Sequence, residues 1–144
     1  MMVIGVGNEF RRDDAAGLAA ARRLRESGLL VLEHQGDMAA LIEKWKGADK
    51  LILIDAVAPV RKPGTIYRLD ASAAPLDREL FATSTHAFSL ADAVELSRAM
   101  GTLPPDVLVF GIEAINLALG IGLSPEVEAA LPGLVNEVLA CIRL

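Results

Sequence analysis

The 144-residue chain is poor in several things, and each shortage excludes a class of protein. It has a single cysteine, Cys141, which rules out an internal disulfide and a zinc knuckle, and its place among Leu139 and Ile142 predicts a core position. Aromatic residues are only 4%, with one Trp and one Tyr, so no aromatic stripe is available for an obligate interface, and a monomer is expected. Basic residues are outnumbered 19 to 14, giving a net charge of −5 and no electrostatic footprint for nucleic acid. The most apolar tract, residues 107–123, is interrupted by Glu113, Asn116 and three glycines and is too short for a membrane span. The N-terminus lacks a basic leader ahead of its first apolar run, so the expected location is the cytoplasm.

What is present is aliphatic. Hydrophobic residues make up 53% of the chain and the mean hydropathy is +0.41. That composition suits buried parallel strands flanked by Ala/Leu helices, and the length suits one domain over residues 1–144. The pattern predicts strands at 2–6, 29–33, 50–56, 65–69 and 107–112, with the fourth alternating like an edge strand. Helices are expected at 13–26, 38–46 and 89–100, the last opened by a Ser89/Asp92 capping box and closed by Gly101. Residues 70–82 read as a polar loop. Ser124-Pro125 starts a closing helical region that Pro132-Gly133 is expected to divide in two. The β-α-β-α-β order implies right-handed crossovers, hence a three-layer α/β/α sandwich with a mostly parallel sheet of about five strands.

The most informative stretch is Gly-Asn-Glu-Phe-Arg-Arg-Asp-Asp, residues 7–14, placed between the first strand and the first helix. A strand running into Gly5 and Gly7 suggests a dinucleotide site, but Phe10 occupies the place of the third glycine. The Asp13-Asp14 pair would also repel a phosphate at that helix start. Paired carboxylates suit a cation or a proton-transfer site instead. Glu33 imitates a ribose-binding acid only if the glycine fingerprint were complete, which it is not.

In an open α/β sheet, ligands bind beyond the carboxyl ends of the parallel strands. Asn8, Asp13 and Asp14 follow strand one, Glu33 ends strand two, Asp55 ends strand three and Glu113 follows strand five. His86, in a loop just before a helix, is placed to approach the same rim. Asp13 is expected to cap the first helix, and His34, between Glu33 and Gln35, to be a solvated loop residue. Ser84 and Thr85 lie beside His86, but no nucleophile-elbow sequence supports a serine or threonine nucleophile.

Taken in order, Gly7-Asn8, Asp13-Asp14, Gly17, Asp55-Ala56, Ser84-Thr85-His86, Leu90-Ala91-Asp92, Gly111-Ile112-Glu113 and residues 122–127 (GLSPEV) resemble the hydrogenase maturation proteases. These endopeptidases trim the C-terminus of the large subunit of [NiFe] hydrogenases. The resemblance covers essentially the whole chain. It implies a divalent ion held by Asp14, Asp55 and His86, with Asp14 replacing the more common Glu. It further implies that this ion is nickel already installed in the hydrogenase large-subunit precursor, so that no permanently bound metal belongs to the protease. Two carboxylates and an imidazole make an O,O,N donor set with open positions, acceptable to nickel or zinc. Either the metal or a carboxylate would activate the attacking water. The chain departs from the family after the second strand, where Glu33-His34-Gln35-Gly36-Asp37 stands in place of an Asp-Gly-Gly-Thr-like sequence. An alternative reading is a non-catalytic metal-binding or chaperone module on the same fold.

Overall fold

A computed structural model describes residues 1–83 and 88–143. Five strands, β1 (Met2–Val6), β2 (Val31–His34), β3 (Lys50–Val57), β4 (Ile66–Asp70) and β5 (Asp106–Glu113), form one sheet in the order β2-β1-β3-β5-β4. The first four neighbours run parallel and only β4 is antiparallel, at the edge. The α-helices among the described residues are α1 (Ala16–Arg25), α2 (Met38–Trp45), α3 (Leu90–Met100) and α4 (Pro125–Ile142).

Alternation along the strands sends side chains to two cores. Val3, Ile52, Ile54, Phe110 and Ile112 face α1 and α4, where they meet Ala16, Ala20, Leu24, Val127, Leu131 and Val138. Ile4, Leu51, Leu53, Val107 and Val109 face α2 and α3, where they meet Leu41, Trp45, Leu90 and Val94. The sandwich therefore has three layers, as expected. Trp45 and Ser97 join α2 to α3 through a buried bond in which the indole N–H donates to the Ser97 hydroxyl at 2.8 Å. No helix among the described residues is long and apolar enough to cross a membrane.

Local signals account for most boundaries. Asp37 caps α2 by accepting from the Ala39 and Ala40 amides, and the Ser89/Asp92 capping box opens α3. Gly101 ends α3 in the left-handed region at φ 72°.

Three expectations fail. Residues 70–82 are not simply polar surface, because Ala71, Leu76, Leu80 and Phe81 are buried in the α2/α3 core. Pro132 does not divide α4, which runs unbroken from Pro125 to Ile142. The stripe Val127, Leu131, Leu134, Val138 and Cys141 continues across the proline, while Pro132 and Gly133 face solvent, and the carbonyl left without its amide partner belongs to the exposed Glu128. The first helix is also shorter than expected: a one-turn 3-10 helix at Arg12–Ala15 precedes α1.

The tight entry to α1 is a backbone contact. A Cβ on Gly17 would fall 2.4 Å from the carbonyl oxygens of both Val6 and Ile54, and one on Gly5 would fall 2.2 Å from the Gly17 carbonyl oxygen. The helix is thereby pressed onto the ends of β1 and β3, with Gly17 serving the close-packing role for which Phe10 is unsuited.

Candidate active site

The turn between β1 and α1 is organised by Asn8. Its side-chain oxygen accepts from the Phe10 amide at 2.9 Å, its carbonyl accepts from Arg11, and its amide donates to the Asp14 carbonyl. This folds residues 12–15 over the carboxyl ends of β1 and β3. A cleft of about 430 Å³ opens there, lined by Val6, Asn8, Arg11, Asp14, Asp55 and Phe88 among others.

Asp14 and Asp55 meet in this cleft, and both are buried. Burial pushes the Asp14 carboxyl up, although Arg11, whose guanidinium lies 3.8 Å away, pulls the other way. Asp55 is driven well above the usual carboxylate range, first by burial and then by the negative charge of Asp14. Two carboxyls in these circumstances do not ionise together easily: one keeps its proton while the other carries charge. Such a pair can take and give a proton, or can gain a cation's charge.

His86 lies outside the described residues. The described residues to either side, Thr83 and Phe88, both line the cleft. Among the described residues no three His, Cys, Asp or Glu side chains are grouped to hold a metal ion.

The remaining rim candidates separate from the site. Asp13 does not cap the first helix. It is wholly buried, and its carboxylate accepts from the Ile115 amide at 3.0 Å, the Asn116 amide at 2.9 Å, the Ser124 amide at 2.7 Å and the Ser124 hydroxyl at 2.8 Å. It thus pins the β5–α4 loop. Glu33 faces Arg22 and Arg25, each at 2.9 Å, and is neutralised there. Glu113 is buried, accepting from the Arg61 amide and the Tyr67 hydroxyl. His34 is not solvated. It closes β2 in a buried position, with Nε2 2.8 Å from the Asp37 carbonyl and Nδ1 without a partner among the described residues. An Nε2–H donor to that carbonyl leaves Nδ1 unprotonated, and burial lowers the pKa accordingly. The flanking polar residues Glu33 and Gln35 concealed the alternation that turns this residue inward.

Arg11 was not singled out by the sequence. It is the one cation lining the cleft among the described residues, and it bonds the Thr83 carbonyl at 3.0 Å. Its spacing of three residues before Asp14 was the available signal.

A family model described as hydrogenase maturation protease matches residues 20–141. The chain belongs to the hydrogenase maturation protease family. It is 30% identical to the hydrogenase 2 maturation protease of Escherichia coli, over 99% of this chain and 90% of that one. Among solved structures, an endopeptidase from Escherichia coli superposes with a TM-score of 0.83 at 28% identity, covering 99% and 93% of the two chains. The [NiFe] hydrogenase maturation protease HybD from Thermococcus kodakarensis gives 0.74 at 28% identity, covering 97% of both. Family membership makes the protein a peptidase of hydrogenase maturation.

Proposed function

We propose that this maturation protease removes the C-terminal extension of a [NiFe] hydrogenase large-subunit precursor after nickel insertion, recognising the nickel carried by that substrate. The observation that carries the reading is the pair of buried carboxyls, Asp14 and Asp55, on one cleft at the carboxyl edge of the sheet. Asp14, Asp55 and His86 would be the protease's donors to the substrate's metal, an O,O,N set that leaves positions for substrate ligands. The ion's chemistry is to polarise the scissile carbonyl.

The proton work falls to the carboxyl pair. Without the substrate's metal, burial and its neighbour's charge hold the Asp55 proton; on binding the metal Asp55 would release that proton and serve as a carboxylate donor. Asp14, whose pKa burial raises against the pull of the Arg11 cation, is suited to take a proton from the attacking water and pass it to the leaving amine. No serine or cysteine nucleophile is required.

The test is incubation of the folded protein with nickel-loaded precursor, read by intact-mass spectrometry. A shortened product is expected, and none with Asp55→Ala or His86→Ala. Intact precursor after prolonged incubation, with binding retained, would favour the chaperone reading and overturn this one.

A further inference from the structure

Phe10, Leu119 and Ile121 are exposed by 60%, 81% and 72%, although they are large and apolar. They sit on two loops that the backbone ties together. The Gly120 amide donates to the Phe10 carbonyl at 2.9 Å, the Arg12 amide donates to the Gly120 carbonyl at 3.1 Å, and Arg11 and Gly120 form an isolated parallel bridge. The tie is maintained against local preference. Arg12 adopts a left-handed φ of 46°, and its guanidinium packs so close to Gly120 that a Cβ there would fall 2.7 Å from Cζ. From beneath, Asp13 fixes the ends of the same loop through its four bonds. The three side chains are thus presented on a braced platform rather than on a loose loop, and little ordering entropy remains to be lost on binding.

The platform adjoins the cleft through the turn at residues 8–11. Phe10 lies between Asn8 and Arg11, both of which line it, and Phe88 stands on the cleft as a further half-exposed aromatic. Three exposed side chains of this kind make an apolar patch of a few hundred Å², the size that marks contact sites on protein surfaces. A stable homodimer needs about 800 Å² on each partner, which this patch alone does not supply. An occupant that enters the cleft as well as covering the platform buries more surface than the platform alone offers.

We propose that the Phe10, Leu119 and Ile121 platform is the docking surface for an apolar patch on the folded protein substrate, next to the segment that enters the cleft. The proposal rests on the protease reading for its occupant. Docking here adds affinity without touching the reacting bond, so it acts on KM.

The experiment compares wild type, the double variant Leu119→Ser/Ile121→Ser, and the control Leu30→Ser, whose side chain is 83% exposed just before β2, at the opposite edge of the sheet. Circular dichroism checks folding, and Phe10→Ser provides an independent second variant. Cleavage of nickel-loaded precursor and its binding by calorimetry are both measured. The platform variants should raise KM and Kd tenfold or more with kcat retained, while the control changes neither. Unchanged KM and Kd in both platform variants overturns the proposal. Precursor that binds the wild type uncleaved, and binds the platform variants more weakly, supports the platform while overturning the protease reading. Wild type that forms a dimer dissolved by the double variant overturns the proposal in favour of a second copy as occupant. Wild type that neither binds nor cleaves overturns both.

Discussion

Replacing Asp13 with asparagine tests how the rim of the site is built. The carboxylate accepts four hydrogen bonds, three from backbone amides and one from a hydroxyl, in a position closed to solvent. Bonds to a charged acceptor contribute roughly 1.5–3 kcal/mol each, but such values do not add when the donors share one loop. Asparagine keeps one acceptor oxygen and turns an NH₂ group toward donors, and the loop relaxes to let water reach some of them. A net loss of about 3–5 kcal/mol is the scale of breaking a buried charged interaction. For a chain of this length that lowers Tm by on the order of 10 °C. The pH dependence carries an independent signature. Burial alone would raise the Asp13 pKa, but the bonds from Ser124, Asn116 and Ile115 outweigh it and hold the carboxyl below 3.8. A depressed folded pKa contributes stability that is present above the unfolded value and lost as pH falls through the folded one. The Tm gap between wild type and Asp13→Asn should therefore be full at pH 7 and shrink as the pH falls below about 3.8. Differential scanning calorimetry from pH 7 to 2.5 measures it, since carboxylates common to both proteins cancel in the difference. Hydrogen exchange at the Ile115, Asn116 and Ser124 amides should accelerate in the variant. An unchanged Tm at pH 7, or a gap that does not close in acid, refutes the reasoning.

Asp55→Asn should abolish cleavage yet stabilise the fold at alkaline pH by about 1–2 kcal/mol. Because the folded pKa of Asp55 is raised, its contribution is fully present below the unfolded value and lost as pH rises through the folded one. Melting at pH 8 and near pH 3.5 should show the gain only at the former, and a lower Tm at pH 8 than at acid pH relative to wild type would contradict it. Gly17→Ala should cost roughly 3 kcal/mol or more, since its Cβ would meet two carbonyl oxygens at 2.4 Å. Gly133→Ala, whose Cβ meets only Ile66 Cδ1 at 3.8 Å, should gain up to about 1 kcal/mol of helix propensity; urea denaturation of both separates the two cases.

The features legible in the sequence were those decided by near neighbours. β3 reads from its unbroken apolar run, and α3 from a capping box three residues wide. The placement of Asp14 and Asp55 together followed from the rule that strand ends meet on one edge. Asp13 was misread because its partners lie 102 to 111 residues away, and an aspartate at a helix start looks like a cap until the fold supplies distant donors. The outcome at Pro132 turned on packing, since five buried positions in register keep the helix whole against the local preference of one residue. His34 was judged by the polar residues beside it rather than by its place in a strand, where the pleat decides which way a side chain turns.

Asp13 and Asp14 are consecutive residues of a single short turn, and their carboxyls serve different structures. One is anchored to the outer loop, the other opens onto the cleft. A shift at the rim therefore cannot be absorbed between them, because a peptide link offers no slack. The outer surface and the reactive group behave as one lever, and the accuracy with which the loop is seated sets the accuracy with which Asp14 is aimed.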